Sequence, residues 1–298
     1  MAHILRESYG SLVDAKLRAT LVTKDNFIFN TNYEGLPTAG AVKVPVRDGE
    51  VTVNDYSTTN LSSNAATYGS TKYITAVLDA DKFVNEYIDG FEADAVPDNL
   101  VADRLDSAGY SLANIMDTDA VNALCYAIAG KDHAGTAYAA TDPRYQKVGT
   151  QVEMSGSKTI FDAIVDAMVA QDNAHVPAEG RYLIVTPAAY AELIKSDDFI
   201  KKGDLSQELV MSGAVGMIAG YAIYKSAKLA AAGTTASLTN LKAIAGHPLF
   251  ATRVEAWRVE PKLVDGNSDA NVVGGSFVKG RKIYVHEITK PQAFVYIN

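Results

Sequence analysis

Arg181-Tyr-Leu-Ile-Val-Thr-Pro187 runs directly into Ala188-Ala-Tyr-Ala-Glu-Leu-Ile-Lys195. The first run is apolar and reads as a short buried strand. Pro187 cannot donate to a sheet ladder but suits a first helical turn, so strand gives way to helix at that residue. An acidic loop follows, then the glycine-punctuated run Gly213-Ala-Val-Gly-Met-Ile-Ala-Gly-Tyr-Ala-Ile-Tyr-Lys-Ser226. Gly213, Gly216 and Gly220 lack the dinucleotide spacing, and no Gly-Lys-Ser/Thr ending follows them. They read as turn and bulge positions, not as a phosphate loop.

Working outward toward the N-terminus, Ile160, Phe161, Ile164, Val165, Met168 and Val169 line one face of a helix over Thr159–Gln171. Residues 131–155 are a polar connection. Before it, Val101, Leu105, Ala108, Leu112 and Ile115 recur at three- and four-residue steps after the start signal Pro97-Asp98. The pattern extends through Leu124 and Ile128 to Gly130, with Asp117-Thr-Asp119 as a candidate interruption. Phe83–Ile88 reads as a short helix. Val42, Val44 and Val46 alternate with polar residues, Asp48-Gly49 supplies a turn, and Val51 and Val53 alternate on the return, which is a hairpin signature. Pro45 puts the outgoing strand at a sheet edge. Tyr56–Thr71 is uncharged and Ser/Thr/Asn-rich, and Lys72–Leu78 reads as a further strand, so residues 41–78 form an extended β arm with a polar tip. Such an arm is marginally stable alone and makes sense lying across another molecule. Ile4, Leu5, Leu12, Val13, Leu17, Leu21 and Val22 give residues 4–22 an apolar helical stripe. Beyond Ser226 the chain is β-rich: Leu241–Ala245, Phe250–Val259, Ser276–Glu287 and Ala293–Ile297, with a loop over Asp265–Gly275.

The 298 residues are 48% hydrophobic, enough for one large core or two lobes, and carry a net charge of −8. An acidic chain grips phosphates poorly, because that term needs clustered Lys and Arg. The single cysteine, Cys125, sits in an apolar helical run, so no intrachain disulfide forms. No signal peptide and no run of about 18 apolar residues is visible, so no membrane span is expected. Metal and cofactor motifs fail one by one. No two of the five histidines stand at i, i+4. Asp265–Asn271 alternates oxygen ligands like a calcium loop, but lacks glycine at its sixth position and glutamate at its twelfth. Asp79-Ala-Asp81 and Asp117-Thr-Asp119 read as capping or solvated carboxylates. No Gly-x-Ser-x-Gly elbow is present. No catalytic residue, cofactor or metal site is expected.

Two strings and the order of elements carry a resemblance. Asp89-Gly-Phe-Glu-Ala-Asp-Ala-Val-Pro-Asp-Asn-Leu-Val-Ala-Asp-Arg104 looks like the approach to the spine helix of tailed-bacteriophage major capsid proteins, the Hong Kong 97-type fold. Gly280-Arg-Lys-Ile-Tyr-Val-His-Glu-Ile-Thr-Lys-Pro-Gln-Ala-Phe294 looks like that fold's closing strands. The resemblance covers almost the whole chain. It implies an α+β fold with an N-terminal arm (1–40), an extended β loop (41–78) lying over the adjacent subunit, and a peripheral domain (79–177) with its spine helix at about 98–130. It further implies an axial domain (178–249), return strands of the peripheral domain (250–290) and a closing axial strand (291–298).

The implied function is structural: self-assembly through pentamers and hexamers into an icosahedral shell around viral double-stranded DNA, in the virion, after assembly in the bacterial cytoplasm. The DNA would be contacted weakly on the inner face. Lys43, Arg47, Asp48, Glu50 and Lys72, on the extended loop, are the candidate intersubunit contacts. Many relatives carry a long N-terminal scaffolding segment that a protease removes. Here the fold begins within about 30 residues of Met1, which implies a separate scaffolding protein or an already trimmed chain. A portal is a further partner that the resemblance implies. Some relatives form Lys–Asn crosslinks, and nothing in the spacing here selects a pair. The alternatives are an encapsulin-like nanocompartment shell, which shares the fold, and a nucleotide- or sugar-handling α/β enzyme.

Overall fold

The structure, a computed structural model, describes residues 18–23, 27–33, 40–46, 53–65, 71–89, 100–195, 217–265 and 274–298. In chain order, β1 (Ala41–Val46) and β2 (Lys72–Val77) form a two-stranded antiparallel arm, and after Leu78 and Asp79 the chain continues as β3 (Ala80–Ile88). Then come α1 (Leu100–Ile128), β4 (Thr150–Val152), α2 (Ile160–Asn173), β5 (Tyr182–Val185), α3 (Pro187–Lys195), β6 (Met217–Ile218) and β7 (Tyr221–Lys225). The chain closes with α4 (Leu229–Ala236), β8 (Ala243–Gly246), β9 (Ala251–Asp265), β10 (Ser276–Ile288) and β11 (Val295–Ile297).

Six strands in the order β4-β11-β8-β5-β7-β6 make a mixed sheet covered on both faces. All four residues of β5 are buried. Leu183 and Val185 point into a core with α2, α3 and β11, while Tyr182 and Ile184 point into another with the C-terminal half of α1 and with α4. A strand buried on both sides has no polar face to alternate, which is why Tyr182–Val185 is a continuous apolar run. Pro187 opens α3 as its lack of an N–H allows. Thr159 caps α2 in a reciprocal box: its hydroxyl accepts from the Asp162 amide at 3.3 Å and Asp162 accepts from the Thr159 amide at 3.0 Å. β4 and α2, grouped by sequence with the long helix, pack instead on this six-stranded sheet.

The second sheet, β3-β10-β9, lies against the N-terminal half of α1. β9 has 15 residues where β10 has 13, and register shifts near Lys279 and Arg281 absorb the excess beside Pro261. Parity is restored, so both ends of β9 keep their apolar residues on the intended faces.

Helix α1 spans 29 residues without a break, so Asp117-Thr-Asp119 does not interrupt it. Asp117 is buried because its carboxylate accepts from the Val22 amide (3.0 Å), the Thr23 amide and hydroxyl (both 2.8 Å) and Lys228 (2.7 Å). A buried carboxylate survives only with such a full donor set. The helix stops where Gly130 adopts φ +76°.

Several expectations are corrected. Phe83–Ile88 is strand, not helix. Phe83, Val84, Tyr87 and Ile88 fit a helical stripe in sequence, but unbroken pairing along β10 decides for a strand. The partner of β1 is β2, and Val53, expected on a tight return strand, is 93% exposed and in no strand; the Asp48-Gly49 turn itself lies outside the described residues. Most of the 4–22 helix also lies outside them, and residues 18–22 are not helical. Gly213, Gly216 and the Asp265–Gly275 loop are likewise largely outside, whereas Gly220 occupies the φ +80° turn position expected of it. α4 was not anticipated. Its Gly233 is set by a close approach, since a Cβ there would stand 2.8 Å from Leu241.

Candidate assembly surfaces

The arm is a ladder with one dressed face and one bare one. Val42, Val44, Val46, Ile74 and Ala76 lie on the inner face; Val44 and Ile74 are buried beside Tyr33, and Ala76 packs on Val254 of β9 and Val285 of β10. The outer face carries Lys43 opposite Thr75 and Pro45 opposite Tyr73, with Tyr73 56% exposed. Lys43 and Lys72 are exposed, Lys43 on that outer face and Lys72 at the outboard end of β2, while Arg47, Asp48 and Glu50 lie outside the described residues. Further out, the Ser57 amide donates to Asn64 Oδ1 and Asn64 Nδ2 donates to the Ser57 carbonyl, both at 2.9 Å, closing a small loop on itself. Tyr56 beside it is exposed.

The root of the arm is held by charge. Asp79, between β2 and β3, faces His133 Nε2 at 3.0 Å, and His133 Nδ1 faces Glu287 of β10 at 2.8 Å. The hydrogen bond to Glu287, above all, pushes the His133 pKa up to about 9, with Asp79 adding to it against the opposing effect of burial. The ring is then an imidazolium donating at both nitrogens. Glu287 is buried and also accepts from Arg144, whose guanidinium grips Asp142 through two 3.0 Å bonds and stacks on Tyr138 at 4.4 Å. The adjacent His286 is buried between Phe29 and Tyr284. Burial and then the positive Arg253, His133 and Lys282 drive its pKa down to about 3, so it stays neutral.

The sheet β3-β10-β9 offers a second surface. α1 covers one face, where Leu105 and Ala108 meet Val84, Ile88 and Val278. On the opposite face the register puts Asp81, Phe83, Asn85 and Tyr87 beside Phe277, Lys279 and Arg281. The arm root covers only the Val254–Val285 end of that face. At the other end Phe83 is 73% exposed over a groove of about 700 Å³ lined also by Val259 and Lys262. Arg281 is tied to Asp81, and Lys279 lies 4.6 Å over the Phe277 ring. Sequence reasoning missed this surface by reading 83–88 as helix; the β-branched and aromatic content of β10 was the available signal.

Among the described residues no cluster of His, Cys, Asp or Glu could hold a metal ion, and no helix is long and apolar enough to cross a membrane. The acidic doublets do not converge: Asp79 serves His133, Asp81 serves Arg281, Asp117 anchors Thr23 and Asp119 accepts from Tyr284 at 2.7 Å. Burial pushes the Cys125 thiol up to about 12, which leaves it unreactive.

A family model described as phage capsid protein matches residues 91–297. Among curated proteins none matches the chain. Solved structures match it over nearly its full length. One, of Mycobacterium phage Che8, has a TM-score of 0.71 at 18% identity, covering 99% of this chain and 97% of that one. The capsid of the cyanophage P-SCSP1u gives 0.72 at 16% identity, covering 99% and 92%. The capsid of an empty GTA particle gives 0.64 at 14% identity, covering 99% and 95%. At these identities the likeness is one of fold, and the fold is the Hong Kong 97 type.

Proposed function

The chain belongs to the phage capsid protein family, and from that membership we propose how its parts build a shell. It is a structural capsid protein and not an enzyme. In the proposed assembly, copies join as pentamers and hexamers and close into an icosahedral shell around double-stranded DNA. The six-stranded sheet with α2, α3 and α4 serves as the axial domain, the β3-β10-β9 sheet with α1 as the peripheral domain, and residues 41–78 as the extended loop laid over an adjacent copy. In this proposal the boundary between the two domains falls near residue 149, a division supported by the packing of β4 and α2 on the six-stranded sheet.

The observation that carries this reading is the arm itself. A two-stranded ladder is marginal in water, yet this one presents Pro45, Tyr73 and Val77 uncovered on its outer face and Val53 and Tyr56 beyond it. Among the described residues nothing covers these groups, and a neighbouring molecule would. Weak contacts then suffice, since a closed symmetric shell multiplies them. Lys43, Arg47, Asp48, Glu50 and Lys72 are proposed contacts of the loop. The net charge of −8 favours an inner face that encloses DNA without gripping it. A scaffolding protein and a portal complete the proposed partners, and assembly is proposed to take place in the host cytoplasm. Negative-stain electron microscopy with light scattering on the same purified sample tests the reading. Closed shells or ring-shaped capsomers are expected; a chain that stays monomeric, alone and with its neighbouring gene products, would overturn it.

A further inference from the structure

We propose that the cavity between α1 and the start of β3 binds a small amino alcohol, its ammonium at a mouth made by Asp79 and Asp119 and its hydroxyl on the floor at His286 Nε2. The cavity has a volume of about 310 Å³. At roughly 30 Å³ for one water, that is room for a molecule of several heavy atoms. Helix α1 supplies Asp119, Asn122, Ala123 and Tyr126, the i, i+3, i+4 and i+7 positions of one face. β10 closes the other side with Tyr284 and His286. The two members of each acidic doublet part company, but Asp79 of one doublet and Asp119 of the other line this same cavity. Their side chains are 50% and 37% exposed, which makes them its mouth. Asp79 Oδ2 faces His133 and Asp119 Oδ2 accepts from Tyr284, so among the described residues each carboxylate keeps its Oδ1 without a donor. His133 spends both ring nitrogens on Asp79 and Glu287 and has none left for an anion. Lys82 stands 3.9 Å from Asp119 Oδ2, beyond hydrogen-bond distance, and does not line the cavity. An ammonium, with three donors and no acceptor, is the group such a mouth takes.

The floor is the independent observation. His286 is 3% exposed, and its Nε2 has no hydrogen-bond partner. Phe29 and Tyr284 pack against the ring, but Phe29 has no polar atom and Tyr284 spends its hydroxyl on Asp119. A buried polar atom left alone destabilises the chain, and a ligand that reaches it removes that cost. The group it takes is not a second ammonium. Arg253, His133 and Lys282 already bear on this ring as positive charges. A neutral hydroxyl fits, because it donates to a bare ring nitrogen or accepts from a protonated one. Ala80, Ala123 and Ala134 also line the cavity, and side chains this small leave space for a short alkyl link between the two ends. The inference does not rest on the shell reading.

Calorimetric titration of the purified full chain at physiological salt tests the site, with ethanolamine, propanolamine and butanolamine as probes. The best of the three is expected to bind at one site per chain. Butylamine and butanol, each lacking one end, are expected to bind about tenfold or more weakly than it does. Asp119→Asn is expected to weaken the amino alcohol by about tenfold or more, and Asp166→Asn, an exposed carboxylate paired with Lys158 on α2, to leave it unchanged. Thermal unfolding checks that each variant folds. A second measurement needs no variant in the site: in unaltered protein carrying isotope-labelled histidine, the ring-nitrogen signals of His286 are expected to shift as the amino alcohol is added. Four results would overturn the proposal: no binding by any probe, butylamine or butanol binding as tightly as the amino alcohol, equal loss from Asp119→Asn and Asp166→Asn, or His286 signals that do not move. The last would mean that ordered water alone meets Nε2.

Discussion

His133 stands between two carboxylates, and only its charged form donates to both. Its pKa rises from 6.5 to about 9, so the bound proton stabilises the folded chain fully below pH 6.5 and that contribution fades as pH climbs through about 9. His133→Gln is expected to lower the unfolding midpoint near pH 6 and to differ little from the parent near pH 9.5. Denaturant unfolding at the two pH values measures this, and an equal loss at both would show that charge is not what His133 contributes. No sequence pattern exposes this trio, since the partners lie 54 and 154 positions away from the histidine. Asp79 and Asp117 were visible as members of acidic doublets, but a doublet gives neighbours in sequence and not the donors that fold around each member.

The elements differ in how much of themselves they disclose. α1 was legible almost to its ends because a 29-residue periodicity leaves little alternative and a glycine closes it. β5 and Pro187 were legible for similar local reasons. β3 was not: its apolar residues fall at 83, 84, 87 and 88, a spacing that serves a helix as well as a strand, and only the long-range ladder with β10 decides. α4 hid because small residues give no stripe, and its position depends on Gly233 lying against Leu241. Within α1, Gly109 has helical φ and nothing within 4 Å of where a Cβ would stand. Gly109→Ala is therefore expected to stabilise the free chain by about 0.5–1 kcal/mol. A thermal or denaturant melt reads this directly; a loss of stability would mean that the helix needs glycine for its own packing.

At the scale of the whole molecule, element order identified the fold while its exposed surfaces stayed out of reach, because those depend on which face of each sheet is left uncovered. The arm is attached to the body through the Ala76–Val254–Val285 contact and the Asp79–His133 pair, and the two main cores lie elsewhere. Deleting residues 41–78 is expected to leave a soluble chain with a cooperative thermal transition that forms no shells. Intact particles from the deletion, seen by electron microscopy, would remove the arm from the assembly mechanism.

Only Leu78 and Asp79 separate β2 from β3, and the Leu78 amide closes the arm's base by donating to the Gly40 carbonyl at 2.9 Å. There is no slack in that joint. In the proposed assembly, an arm drawn outward by a neighbour would place β2 under tension, and Asp79, His133 and Glu287 are the bonded groups that would carry the pull into the body. A root built this way would act as a strain gauge, sharing angular misfit around a shell instead of collecting it at one contact.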